Sequence, residues 1–186
     1  MSVATAPWQW DEAGWLQGIA HCPSPNCDER PPGALVELVV IHNISLPPDC
    51  FGGPGVAQLF TNTLVADEHP YYATVCDLRV SAHFFIRRNG TLVQFVSADR
   101  RAWHAGVSSW QGRERCNDFS VGIELEGCDT QAFTVAQYAC LRLLLAALCA
   151  HYPIAAVVGH SDIAPGRKTD PGPCFDWAEI GENGVR

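Results

Sequence analysis

A nearly continuous apolar run at residues 34–41, rich in β-branched side chains, is the feature that most limits how this chain can fold. An apolar run of this length without polar alternation is typical of a strand that is buried on both faces. Such a strand needs further layers of structure on each side, so the run predicts a sheet inside a layered domain. A second apolar run, at 154–158, predicts another short buried strand. The first run ends at His42, and the second is followed by Gly159 and His160.

Two other segments have strand patterns. Asn89 and Gly90 separate two β-rich runs, 81–87 and 91–96, and predict a hairpin because both residues tolerate the positive φ of a tight turn. Residues 119–126 alternate between apolar and polar side chains. That period of two predicts a strand with one apolar face and one polar face.

Helical patterns lie between these strands. Thr134 and Gln137 match a capping box, and apolar side chains recur behind them at helical spacing until Pro153 ends the pattern. Residues 56–64 are compatible with a short helix. Strands interleaved with helices, together with one hairpin, predict an α/β fold with a central mixed β-sheet flanked by helices.

The length of 186 residues favours a single domain with its own core. Residues 1–33 are rich in proline, cysteine and tryptophan and have no sustained period, so we interpret them as an irregular N-terminal lead-in with one helical turn near 12–17. The domain itself is predicted at 34–180.

The composition argues against several classes of partner. The 20 acidic and 12 basic side chains give a net charge of −8, whereas sequence-independent binding to nucleic acid needs a cationic surface. No apolar run approaches the roughly 20 residues that span a bilayer. The first ten residues lack the basic and apolar regions of a secretory signal, which predicts a cytoplasmic protein. Nothing in the sequence indicates an obligate protein partner.

The chain contains nine cysteines, an odd number, so at least one thiol is unpaired. A reducing compartment keeps thiols free, and Cys140 and Cys149 lie within the predicted helix. We therefore interpret the cysteines as small apolar side chains rather than as a disulfide framework.

His42 and His160 follow predicted buried strands, and the carboxyl ends of parallel strands are where ligand sites form. Ten residues after His160, Asp170 precedes a proline that favours an extended backbone, which places Lys168 and Asp170 on the same side. Two imidazoles and one carboxylate suit a catalytic zinc site with a fourth position open to water. The alternative is that each histidine is a hydrogen-bonded structural residue.

Such a site also needs a base and a group that stabilises a developing oxyanion. Glu124, on the polar face of its strand, and Lys168 are candidates, unless both are ordinary exposed charges. His83 and His104 could contact a ligand or the core. Five arginines could bind a carboxylate of an anionic substrate or could be surface charges; they are Arg79, Arg87, Arg88, Arg113 and Arg115.

Taken together in chain order, six segments resemble the AmpD-type anhydro-muramyl-L-alanine amidases, which are zinc amidases related in fold to peptidoglycan recognition proteins. The segments are 40–48, 79–83, 102–108, 112–118, 122–127 and 159–173. The resemblance runs from about residue 42 to residue 177. It implies a peptidoglycan-recognition-protein-like amidase fold.

The resemblance also implies roles for the candidate residues. It implies that a zinc ion (Zn2+) is bound by His42, His160 and Asp170. It implies that Glu124 is the catalytic acid/base residue and that Lys168 stabilises the tetrahedral intermediate. It also implies that five residues contact the substrate, namely Asn43, Arg79, His83, His104 and Arg115. The two arginines are implied to face carboxylates of the stem peptide.

The implied reaction is hydrolysis of the amide bond between anhydro-N-acetylmuramic acid and L-alanine in recycled cell-wall muropeptides, so the implied partner is a small molecule. A cytoplasmic location fits, because those fragments are imported before cleavage. One alternative is a muropeptide-binding sensor without catalysis, although such sensors typically lack part of the ligand set. A thiol-dependent hydrolase is a further alternative that rests only on the nine cysteines.

Overall fold

The structure of the protein is a computed structural model that describes residues 8–183. Residues 1–7, part of the stretch searched for a secretory signal, lie outside the described residues. The strands, in chain order, are β1 (Ala20–His21), β2 (Cys27–Asp28), β3 (Leu38–Ile44), β4 (Phe84–Ile86), β5 (Leu92–Gln94), β6 (Arg101–Ala102), β7 (Ser109–Trp110), β8 (Arg113–Glu114), β9 (Ser120–Glu126) and β10 (Ala156–Gly159).

The described part also contains four α-helical segments and three 3₁₀ segments. The helices are α1 (Gly55–Phe60), α2 (Tyr72–Val75), α3 (Val135–His151) and α4 (His160–Ile163). The 3₁₀ turns are Ala66–Glu68, Cys116–Asp118 and Trp177–Asn183. Among the residues described, no helix is long and apolar enough to cross a membrane.

Six of the strands form one mixed sheet in the spatial order β1, β5, β4, β9, β3, β10. The neighbours β4, β9, β3 and β10 are parallel, whereas β5 runs antiparallel to β4. β3 lies between β9 and β10, so the carboxyl ends of these three strands meet at one edge of the sheet. This confirms the α/β class with a central mixed sheet.

The two faces of β3 pack against different parts of the protein. Val39 and Ile41 lie in the core that includes the apolar side of α3. Leu38 and Val40 lie in a second core cluster on the opposite face. Because side chains alternate along a strand, His42 lies on the same face as Leu38 and Val40. The face away from α3 is therefore the face on which the strand presents its histidine.

Most of the predicted elements are confirmed, with shifted ends. The predicted central strand begins at Leu38 instead of residue 34, because its partners begin at Ser120 and Ala156, and it continues to Ile44 along β9. The hairpin forms between β4 and β5. Thr134 caps α3 with the predicted capping box, and the helix ends before Pro153.

Other details differ from the sequence-based expectations. The predicted helical turn at 12–17 is wrong, since this stretch is an irregular turn closed by a bridge between Trp10 and Leu16. Leu16 is fully buried, and β1 adds to the sheet beside β5. The short helix ends at Phe60 because Asn62 adopts a left-handed conformation with φ 59°. His160 is the first residue of the short helix α4.

All nine cysteines are free thiols. Cys116 and Cys140 are buried as small apolar side chains, while Cys50 and Cys149 are exposed and the other five are half-buried. The expectation of unpaired thiols is confirmed, and Cys149 lies within the helix as predicted, although it is exposed.

Candidate functional site

His42, His160 and Asp170 come together at the carboxyl edge of the parallel strands. His42 lies near the end of β3, and His160 directly follows the neighbouring strand β10. Asp170 reaches the same point from the loop after α4, where its carbonyl accepts a hydrogen bond from the Ser161 backbone N–H. Pairing of Gly159 with Ile41 in register brings the two histidines side by side.

The three side chains point their potential ligand atoms at one another. Nδ1 of His42 lies 3.0 Å from Nδ1 of His160 and 2.9 Å from Oδ2 of Asp170, and the third distance, from Nδ1 of His160 to Oδ2, is 3.0 Å. In a tetrahedral zinc site with bonds of 2.0–2.1 Å, ligand atoms lie about 3.3 Å apart. A triangle within a few tenths of an ångström of that spacing, formed by two imidazoles and a carboxylate, fits a zinc ion.

The protonation states favour a metal over a proton at this point. Burial lowers the pKa of His42 to about 4, against the opposing effect of its contact with Asp170. Burial alone would raise the pKa of Asp170, but the contacts of its carboxylate with the His160 and His42 rings outweigh burial and hold that pKa well below the usual value. At neutral pH the His42 ring is therefore neutral and the carboxylate is charged, which is the state that binds a metal.

Each histidine of the triangle has a partner for its other ring nitrogen. Nε2 of His160 lies 3.1 Å from the carbonyl oxygen of Ala105, which can only accept a hydrogen bond. Nε2 of His160 therefore carries the proton, and its Nδ1 keeps a free lone pair. Nε2 of His42 lies 2.9 Å from Nδ1 of His104.

Glu124 lies beside this triangle. It pairs in register with His42 across β9 and β3, and its side chain is only 9% exposed. Its Oε2 is buried without a hydrogen-bond partner among the described residues. Burial, reinforced by the charge of Asp170 and opposed by Lys168, raises the pKa of Glu124 well above its usual value. The alternative of an ordinary exposed glutamate is therefore wrong.

The triangle opens into a cavity of about 500 Å³. Glu124, Lys168 and Asn43 line it together with the three clustered side chains. Apolar side chains from α1, α2 and the segments next to them also line the cavity; these are Leu46, Leu59, Phe60, Tyr71, Val75, Leu78 and Val80. A ligand with one polar, reactive end and one apolar face matches this lining.

The residues expected to contact a substrate lie in different places. Asn43 and His104 line the main cavity, although both amide hydrogens of Asn43 are directed at Asp129 and the Pro171 carbonyl. Arg79 is exposed on a smaller cavity that Lys168 also lines. Arg115 lines a neighbouring cavity of about 550 Å³, where its Nε lies 3.3 Å from Asp118.

His83 is fully buried and lies behind His104 rather than on the cavity. Its Nδ1 accepts a hydrogen bond from the Gly122 backbone N–H, and its Nε2 lies 3.0 Å from the Arg100 carbonyl. Burial, with the nearby charge of Arg30, lowers the pKa of His83 to about 3. The expectation that this residue contacts the substrate does not agree with its position.

Two arginines at the site were missed by the sequence analysis. Arg30 donates hydrogen bonds to the carbonyl oxygens of four residues around the site, namely Ala98, Asn117, Asp118 and Ser120. Arg167 lines the main cavity and both neighbouring ones, and it donates hydrogen bonds to the carbonyls of Ala105 and Val107. Arg167 could have been predicted as a site residue because it precedes Lys168 in the sequence. Arg30 lies in a stretch without a helical or strand pattern, so no such signal was available.

Comparison with known proteins places this geometry among the amidases. Residues 31–173 match the N-acetylmuramoyl-L-alanine amidase family. The 1,6-anhydro-N-acetylmuramyl-L-alanine amidase AmpD of Escherichia coli K12 is 59% identical over 171 residues, which cover 91% of this chain and 93% of the relative. A crystal structure of a selenomethionine AmpD derivative superposes with a TM-score of 0.91 at 56% identity, over 95% of this chain and 99% of that one.

More distant structures share the fold. The amidase AmiD of E. coli, solved with the substrate anhydro-N-acetylmuramic acid-L-Ala-D-gamma-Glu-L-Lys, has a TM-score of 0.59 at 30% identity and is matched over 95% of this chain and 65% of its own. Drosophila PGRP-LB, at 20% identity and a TM-score of 0.54, covers 85% of this chain and 95% of its own. That likeness concerns the fold alone and agrees with the expected fold family.

Proposed function

The chain belongs to the N-acetylmuramoyl-L-alanine amidase family, and from this premise we propose that it hydrolyses the amide bond between anhydro-N-acetylmuramic acid and L-alanine in muropeptides, with a zinc ion held by His42, His160 and Asp170. The observation that carries the zinc assignment is the triangle of ligand atoms with edges of 2.9–3.0 Å. Hydrolysis of this bond consumes one water molecule and releases a lactyl carboxylate and the amino terminus of the peptide.

His42, His160 and Asp170 would hold the ion beside the cavity that they line. A zinc ion in such a place supplies Lewis acidity, which polarises a carbonyl and acidifies a water molecule. The carbonyl of Ala105 and the ring of His104 hold the outer nitrogens of the two histidines, so the ligand atoms stay directed at one point.

Glu124 is the proposed proton carrier. Its unpartnered Oε2 next to His42 is free to take a proton from the attacking water and to deliver it to the departing amide nitrogen. Burial raises the pKa of this carboxyl group, which makes the carboxylate a stronger base than an exposed glutamate.

Lys168 is the proposed stabiliser of negative charge. It lines the same cavity as Glu124 and Asp170. When water adds to the amide carbon, charge develops on the amide oxygen, and an ammonium group beside that oxygen lowers the energy of the transition state. A neutral side chain of similar length would lack this effect.

The substrate is proposed to occupy the main cavity and to extend towards the arginines at its rim. The apolar part of the lining suits the less polar face of the anhydro sugar. Arg79 and Arg115 are proposed to face carboxylates of the stem peptide, because guanidinium groups bind carboxylates through paired hydrogen bonds. Asn43 and His104 are proposed to contact the lactyl group. Both are placed by their own hydrogen bonds within the protein.

A cytoplasmic location is part of the proposal, and the nine free thiols support it because disulfides are rare in reducing compartments. A small muropeptide is the proposed partner. Fractionation of cells that produce the protein, with cytoplasmic and periplasmic markers, tests the location.

Two variants test the mechanism. Glu124→Gln should bind zinc as the wild type does and should cleave anhydro-muropeptide at least about 100-fold more slowly, since general acid–base catalysis typically contributes 10²–10⁴-fold. His160→Ala should lose both zinc and activity. Glu12→Gln, at an exposed glutamate far from Glu124 in the sequence, is the matched control and should leave zinc binding and cleavage unchanged.

Cleavage is followed by the appearance of free peptide in a mass spectrometer, and zinc content by atomic emission. Normal turnover in Glu124→Gln would remove this residue from the mechanism. Binding of the muropeptide by the zinc-loaded wild type without release of peptide would instead support the non-catalytic sensor.

A further inference from the structure

A hydrogen-bonded series of side chains runs from the proposed zinc ligand His42 through His104 to Ser120. Nε2 of His42 lies 2.9 Å from Nδ1 of His104, and Nε2 of His104 lies 3.1 Å from Oγ of Ser120. A neutral imidazole has one donor and one acceptor nitrogen. If Nδ1 of His42 is a ligand atom, its proton lies on Nε2 and is donated to His104, whose own proton lies on Nε2 and is donated to Ser120.

The fold holds the His104 ring in place from several directions. Oδ1 of Asn117 accepts hydrogen bonds from the backbone N–H groups of both His104 and Ala105. Any side chain at Gly122, directly next to the ring on β9, would overlap it. The buried ring of His83 lies behind, with 5.7 Å between the ring centroids.

The same short segment also serves the second histidine of the site. The carbonyl oxygen of Ala105 accepts the hydrogen bond from Nε2 of His160 at 3.1 Å. Two consecutive residues therefore provide the outer partners of both histidines, one through a side chain and one through the backbone. Partners of this kind select the tautomer and fix the orientation of a metal-binding imidazole.

We propose that His104 is a positioning residue for the metal centre: it accepts the proton of His42 Nε2 in a hydrogen bond, is itself anchored by Ser120, and thereby keeps Nδ1 of His42 available as the ligand atom. The proposal rests on the proposed zinc site. In this role both ring nitrogens of His104 are engaged within the protein, which leaves only the face of its ring for the substrate.

A pair of variants with nearly the same shape tests this. His104→Asn keeps a hydrogen-bond acceptor near the position of Nδ1, whereas His104→Leu has similar volume and no acceptor. We expect the zinc dissociation constant to rise about 10- to 100-fold in the Leu variant, the usual range for loss of such a partner, and to stay within a few-fold of the wild type in the Asn variant. Competition with a chromogenic chelator measures it.

The outcomes separate this proposal from the zinc site on which it depends. A wild-type protein that binds no zinc refutes the zinc site. A wild-type protein that binds zinc, with a Leu variant that binds it equally well, overturns the role of His104. An Asn variant as weak as the Leu variant also overturns it, because the acceptor would then not be the cause.

Ser120→Ala provides a second test, and the single variant does not depend on whether His104→Leu folds. Loss of the anchor should weaken zinc binding by a few-fold, and adding it to His104→Leu should cause no further loss because the hydrogen-bonded series is already broken. Unchanged affinity in Ser120→Ala, or fully additive losses, would contradict the proposal. A raised KM at saturating zinc, with unchanged zinc affinity, would assign His104 to substrate binding instead.

Discussion

Gly122→Ala is the substitution that tests most directly whether β9 and His104 fit as tightly as the structure indicates. The added methyl group would lie closer than 3.0 Å to three atoms of the His104 imidazole. The ring has little room to retreat, because hydrogen bonds to His42 and Ser120 hold its two nitrogens. Overpacking of this kind typically costs about 1–3 kcal/mol. For a chain of this length, that corresponds to a fall in Tm of about 2–12 °C.

The control is Gly53→Ala, where the nearest atom to the added methyl group would be the Leu46 carbonyl oxygen at 4.0 Å. Both variants restrict the unfolded chain in the same way, so their difference reports the folded state. Urea unfolding of the zinc-free proteins gives the free energy of unfolding, and chelator competition gives the zinc affinity. Gly122→Ala should be lower in both quantities. A Gly122→Ala protein as stable as Gly53→Ala would refute the tight fit of the ring against β9.

Three further predictions concern other parts of the site. Arg30→Met removes the donor to four carbonyl oxygens and should lower the free energy of unfolding by about 1–3 kcal/mol in urea titration, whereas Arg100→Met, a 45% exposed side chain, should change it by less than about 0.5 kcal/mol. Cys128→Ser should cleave muropeptide at the wild-type rate although Cys128 lines the cavity, and loss of activity there would revive a thiol-dependent mechanism. A strong chelator should abolish cleavage and lower Tm, because a ligand that binds only the folded state stabilises it; readdition of zinc should restore both, and activity that persists without metal would contradict the zinc assignment.

Much of the fold follows from local patterns. The apolar run before His42 indicates a buried strand whatever its neighbours are, and Thr134 with Gln137 indicates where a helix begins. The ends of β3 depend instead on where β9 and β10 start and stop, which local sequence does not contain. The existence of the five strands with three or more residues was therefore predictable, whereas their lengths and the two-residue strands were not.

The residues of the site were predictable to a similar extent. Two histidines at the ends of buried strands, with Asp170 ten residues further on, indicate a metal site with Glu124 and Lys168 as candidate partners, and family resemblance adds a definite role for each of these residues. The same level of reasoning could not separate His83 from His104, because which of them faces the cavity depends on packing between distant strands.

The role of Arg30 could not be predicted from the sequence for a related reason. It lies in a lead-in without periodicity, and its four acceptors are at residues 98, 117, 118 and 120, far along the chain. A buried cation that satisfies backbone carbonyls leaves no local pattern, since its partners are the parts of the chain that every residue has.

The sequence distances within the triangle bear on the order in which the protein assembles. His42 and His160 are 118 residues apart, and His42 and Asp170 are 128 apart. These atoms meet only after β3 has paired with β10, a non-local pairing of the kind that forms slowly during folding. The proposed zinc ion would therefore find its full ligand set only in the folded domain, unlike the ion of a zinc finger, whose ligands are close neighbours. The supply of zinc in the cell would then set both how much of the protein is active and how strongly the folded state is stabilised.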